Sequence, residues 1–159
     1  MPTYKLTYFP SRGMAEVSRQ LFHLSGTPYE DDRTAFEESW VDAVADQYKD
    51  YHVPSIPFFA VLIGCAEGDK DKVKAEIGAP KRDAFFAQME KILEGNASGF
   101  LVGDSLTCID LHIADHVEFL LHWLPGWLDA FPKVVAHRQR VQSIPKIKEW
   151  LEMRPKTPY

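Results

Sequence analysis

The chain has 159 residues, 45% of them hydrophobic and 26% charged, which suits one domain or two small ones sharing a core, rules out a large multidomain machine, and is too apolar for a disordered chain. A formal net charge of −5 argues against nucleic-acid or membrane-surface binding, both of which need a basic footprint. Its two cysteines, Cys65 and Cys108, lack CxxC or metal-ligand spacing, and the N-terminus lacks the order of a signal peptide, so a reduced, cytoplasmic protein is expected.

The opening run Tyr4-Lys5-Leu6-Thr7-Tyr8-Phe9 alternates and is rich in aromatic and β-branched residues, which predicts a strand. Pro10, Ser11 and Gly13 break it. Met14, Val17, Leu21 and Leu24 then recur at helical spacing until Gly26 supplies a C-terminal stop. Tyr29 to Arg33 reads as a second, short strand, completing a βαβ-like start.

From Phe36 the helical period persists. Phe36, Trp40, Val44, Tyr48 and Tyr51 form one stripe of a long helix, with Trp40 read as core, and Pro54 and Pro57 should kink or end it. The apolar run Pro57 to Cys65 falls short of the roughly 20 residues of a membrane span and reads as a buried helix. Residues 67–72 are a charged connection. Pro80 suits the first turn of a helix whose stripe is Phe85, Met89, Ile92 and Leu93. Asn96-Ala97-Ser98, a glycosylation sequon in form, reads as a turn.

Thr107 with Asp110 three residues on has the form of a capping box, opening a helix that is apolar almost all round and therefore central. Two further helices are expected around Pro132 to Ser143 and Pro145 to Met153. His112 and His116 lie one helical turn apart with Asp115 between them, yet no third ligand follows at a convincing spacing, so no metal site is expected. Asp42, Asp46 and Asp50 share one helix stripe; Asp46 reads as solvated and relieved by Lys49, and Asp42 as a helix-start carboxylate. The fold class is thus α+β and mostly α. The two parallel strands are fewer than a stable sheet usually has, so part of the N-terminal unit looks missing.

At this point the residues carry a resemblance. Tyr4 to Phe9, Arg12-Gly13, Ala15-Glu16 and Tyr29-Glu30-Asp31 resemble the start of the sigma-class, nematode-type glutathione transferases. Val41 to Asp50 resembles the first helix of that family's helical domain, Leu101 to Thr107 with Asp110 its buried capping segment, and Ile144-Pro145, Trp150 and Arg154-Pro155 its end. The resemblance implies a truncated thioredoxin-like domain over 1–33 and the all-helical C-terminal domain over 34–159. Between Arg33 and Thr34 the loop, cis-proline, strands and Gln/Glu-Ser pair of the family are lacking, as though an internal segment had been removed.

The resemblance also implies the chemistry. Tyr8 would be catalytic, its hydroxyl stabilising the glutathione thiolate; Arg12, Gly13 and Asp50 would help bind glutathione; Phe9, Met14 and Phe58 would build an apolar electrophile pocket. Glutathione is then a co-substrate, no cofactor is needed, and a cytoplasmic homodimer serving detoxification is the expected working unit. The alternative is a non-catalytic relative that binds apolar ligands such as haem or fatty acids, or dimerises with full-length relatives.

Overall fold

The computed structural model describes residues 3–7, 15–32 and 35–155. The chain divides into two compact units, Met1–Ala43 and Val44–Tyr159.

In the first unit β1 (Tyr4–Thr7) pairs in parallel with β2 (Tyr29–Asp32), Tyr4 opposite Tyr29 and Lys5 opposite Glu30, with α1 (Ala15–Ser25) as the crossover. Gly26 ends α1 at φ 62°, a conformation that costs glycine nothing. Phe22 of α1 stacks on Tyr29 at 4.4 Å and tilts against Tyr4 at 5.6 Å. Of the residues at helical spacing, Leu21 is 61% and Leu24 81% exposed. A two-stranded sheet presents too little surface to cover a whole helix face, and Phe22 takes what there is.

The prolines do not end the long helix. The α2 helix runs from Ala35 to Leu62 with Pro54 and Pro57 inside it. Each proline removes the hydrogen bond to the carbonyl four residues earlier. Those carbonyls belong to Asp50 and Val53, and both residues, like both prolines, are exposed, so water can replace the lost donors. On the inner face Ser55 is buried and its hydroxyl donates to the Tyr51 carbonyl at 2.7 Å. Trp40, expected in the core, is 38% exposed, whereas Val44 and Tyr51 on the same stripe are buried.

The charged connection is partly helical. Asp69 caps α3 (Lys70–Val73) by accepting from the Asp71 and Lys72 amides, and a π-helical turn, Lys74–Gly78, leads into α4 (Ala79–Gly95) with Pro80 in its first turn. The turn brings backbone close to α2: a Cβ on Gly78 would stand 2.9 Å from the Phe58 ring. Beyond α4, the Asn96 side chain donates to the Phe100 and Gly103 carbonyls and the Ser98 hydroxyl to Gly103 as well, which folds the turn back on itself.

Helix α5 (Cys108–Trp123) is the core of the second unit, with Ile109, Ile113, Ala114, Val117 and Leu120 buried. Its start is fixed by Asp110, whose side chain is fully buried. Oδ2 accepts from the Thr107 amide and hydroxyl, closing the capping box, while Oδ1 accepts from the Leu101 amide and from His137 Nε2 at 2.8 Å each. Burial alone would raise this carboxyl's pKa, but the hydrogen bonds win and hold it below the usual carboxylate range. His137 belongs to α6 (Pro132–Ser143), which packs on α5, and α7 (Pro145–Met153) packs on α6.

Candidate functional site

The feature that stands out as a ligand site is a groove of about 370 Å³ between α2 and the first turn of α5. Residues spaced three and four apart share one helix face. From α2 the groove therefore takes Ala45, Tyr48, Lys49, His52 and Val53, and from α5 Cys108, Ile109 and His112. The volume lies in the range that holds a small organic ligand.

Tyr48 is the ridge around which the walls are built. The His52 ring stacks on it at 5.2 Å and His112 meets it edge-on at 4.7 Å. The Tyr48 hydroxyl lies 3.1 Å from His52 Nδ1. Behind this layer Tyr51 stacks on Phe85 at 4.6 Å, and its hydroxyl is hydrogen-bonded with His116 Nε2 at 2.9 Å. Phe59, Phe86 and Phe119 enclose His116.

The electrostatics of this aromatic body are uniform in direction: every perturbed group is held neutral. Burial, helped by the Asp115 carboxylate, pushes the Tyr48 phenol up to about 12, and burial with Tyr48 nearby pushes Tyr51 up as well. Burial lowers His52, aided by the proximity of His112. Burial, then His52 and His112, lowers His116 to about 3. The phenols stay hydroxyl donors and the shifted imidazoles stay uncharged, so the groove suits an uncharged, apolar guest. Lys49, the one formally charged side chain in the groove's lining, is exposed, as is Asp50 beside it.

Of the residues expected at the site, Tyr8, Phe9, Arg12, Gly13 and Met14 lie outside the described residues. Asp50 is exposed on α2, adjacent in sequence to the groove residue Lys49. Phe58 serves the core rather than the groove: it is 2% exposed and packs on Phe59 at 5.2 Å and Trp127 at 6.0 Å. It follows Pro57 on the inner side of α2, where the π-helical turn closes over it. His112 and His116 face different surroundings, one at the groove and one inside the aromatic cluster. Among the described residues no group of three or more His, Cys, Asp or Glu side chains could hold a metal.

Sequence reasoning placed Tyr48 on the stripe but missed His52 as its partner. The spacing of four between them was the available signal. The contribution of His112 from a helix some sixty residues later had no local signal at all.

The sequence profile described as "Glutathione S-transferase, C-terminal domain" matches residues 55–154. The chain is 36% identical to "Probable glutathione S-transferase 5" of Caenorhabditis elegans, with all of both chains covered. Among solved structures it is similar to the monomeric glutathione S-transferase Na-GST-3 of the hookworm Necator americanus, at TM-score 0.74 and 35% identity over 99% of this chain and all of that one. It is also similar to a Nu-class enzyme of Haemonchus contortus, at TM-score 0.71 and 35% identity, with both chains fully covered.

Proposed function

The chain belongs to the glutathione S-transferase family, and from that premise we propose that it joins the thiolate of glutathione to small, uncharged, apolar electrophiles. The observation that carries the reading is the largely apolar groove between α2 and α5, with Tyr48 and His52 held uncharged in its wall, which would take such an electrophile. Glutathione is the co-substrate and no cofactor is required.

The chemistry asks for a thiolate. A free thiol with a pKa of about 8.5 is only a few per cent ionised at pH 7, and lowering that pKa by about two units, worth roughly 2.7 kcal/mol, makes it mostly thiolate. The Tyr8 hydroxyl supplies the hydrogen bond that favours the ionised sulfur. Arg12, Gly13 and Asp50 hold the tripeptide, and Phe9 and Met14 extend the apolar contact to the electrophile. The thiolate attacks the electrophilic carbon, forming a carbon–sulfur bond; a leaving group departs or, for an activated alkene, a proton adds.

The finer placement is part of the same proposal: a sigma-class enzyme of nematode type, cytoplasmic, active in detoxification and working as a homodimer. We further propose that the chain consists of residues 1–33 of a thioredoxin-like domain joined to a helical domain at 34–159, with an internal segment lost at Arg33-Thr34. The alignment with the Caenorhabditis elegans relative supports this, since it runs over 208 residues and takes in the whole of a 159-residue chain. No helix is long and apolar enough to cross a membrane among the described residues.

The test is calorimetric titration with glutathione, paired with conjugation of 1-chloro-2,4-dinitrobenzene by the parent and by Tyr8→Phe. Binding in both with conjugation lost in the variant is the expected result. A parent chain that neither binds glutathione nor conjugates would overturn the transferase reading. Sedimentation equilibrium tests the dimer, a point on which the monomeric Necator americanus structure makes the measurement informative.

A further inference from the structure

The groove's walls are apolar apart from a few polar edges, and one of these is set in a defined state by its neighbour. His52 Nδ1 and the Tyr48 hydroxyl are 3.1 Å apart. Either the phenol donates to a bare Nδ1, or Nδ1–H donates to the phenol oxygen. A phenol is a much stronger acid than a neutral imidazole N–H, and the bare imidazole nitrogen is the stronger base, so the phenol donates. Which nitrogen of a neutral imidazole carries the proton is set by the bond the other makes. The proton of His52 therefore sits on Nε2.

The ring is also held in place. Tyr48 stacks on it at 5.2 Å with planes 23° apart, and Phe59 at 5.4 Å with planes 29° apart. His52 lines the groove and its Nδ1 is engaged by Tyr48, so Nε2 is the ring nitrogen left to meet a guest. That atom is not sealed away: no buried side-chain nitrogen of His52 lacks a partner among the described residues. An N–H at fixed position on an apolar wall gains most from a guest that brings one acceptor and no charge.

We propose that His52, fixed in its Nε2–H form by Tyr48, is the specificity-determining donor of this groove, and that it selects flat apolar molecules carrying one hydrogen-bond acceptor, such as aryl ketones, over hydrocarbons of the same shape. This deepens the reading of the groove as the electrophile site and rests on it. His112, the other groove imidazole, meets Tyr48 edge-on and is exposed. It does not set the preference.

The test uses the full chain and two probes of nearly equal shape, 2-acetylnaphthalene and 2-isopropenylnaphthalene. Neither is a conjugation substrate, so binding is read apart from turnover. Imidazole nitrogen chemical shifts, followed by NMR during each titration, report both affinity and which His52 nitrogen is protonated. The parent should bind the ketone about fivefold more tightly, the worth of one neutral hydrogen bond. His52→Phe should equalise the two probes while still binding the hydrocarbon. His52→Gln, which keeps a donor, should restore part of the preference, and His112→Phe should leave it intact.

Equal affinities in the parent, a proton found on Nδ1, or a preference that survives His52→Phe would overturn the assignment while leaving the groove as an apolar site. Failure of the parent to bind either probe would overturn the groove reading too. Probe binding without any glutathione binding or conjugation would sink only the transferase reading.

Discussion

Asp110 is the residue whose replacement should be felt most in the second unit. Its buried carboxylate accepts four hydrogen bonds, two on each oxygen, from the Leu101 amide, His137 Nε2, and the Thr107 amide and hydroxyl. In Asp110→Asn one oxygen becomes an NH2 group. The amide would turn that group towards Thr107, because the hydroxyl there can rotate to accept. The Thr107 amide is then left facing a donor, and the surviving bonds lose the help of the charge. One orphaned buried donor costs about 1–3 kcal/mol and a charge-assisted bond is worth about twice a neutral one, so the variant should lose about 3 kcal/mol. Urea unfolding followed by far-ultraviolet circular dichroism would show it as a lower midpoint at unchanged slope. The pH dependence is a second readout. Because the folded carboxyl is held below its ordinary value, its contribution is complete above an unfolded pKa of about 3.9 and is lost as pH falls through the folded one. The gap between parent and variant should therefore narrow below about pH 4. A loss under about 0.5 kcal/mol, or a gap that does not change down to about pH 2, would refute the reasoning.

Three other perturbations test the structure of the second unit. His116, lowered to about 3, stays neutral where an unfolded histidine takes up a proton; stability should fall as pH drops from about 6.5 towards 3, by at most about 1.4 kcal/mol per unit from this group. His116→Gln should flatten that slope in urea midpoints measured across the range. Arg82 lies 4.1 Å from the Trp127 ring and donates to its carbonyl at 3.2 Å, so Arg82→Met should cost about 1–2 kcal/mol, read as a lower Tm. Gly99 has φ 76°, and a Cβ there would stand 2.5 Å from Arg140 Nε. Gly99→Ala should cost about 1–2 kcal/mol in the same assay, since the Arg140 side chain can move aside but the backbone strain remains.

Much of the helical unit was legible because its signals are local. Pro80, Pro132 and Pro145 each fall in a first helical turn, and Thr107 with Asp110 forms the capping box their spacing predicted. The failures have a common cause. Pro54 and Pro57, expected to kink or end their helix, do not end it, because their cost falls on exposed carbonyls of a helix held by its inner face. Trp40 shares the period of Val44 and Tyr51 but is 38% exposed, because helical spacing sets which residues share a face and not how deeply each is covered. Phe58, a pocket residue by the family resemblance, is buried at 2% exposure beside the π-helical turn and Gly78, a placement that depends on packing far along the chain.

The sequence by itself determined the two strands, the long helices in their order, the capped start of α5 and, through its motifs, the family, because each depends on residues within a few positions of one another. Only the tertiary structure decided the site. Tyr48 and His52 are neighbours by helical spacing, but their junction with His112, and the burial that keeps Tyr48 and His52 neutral, exists only once α2 packs beside α5. Desolvation belongs to the packed assembly and not to any segment. For that reason the chemical character of the groove could be read from the fold and not from the chain.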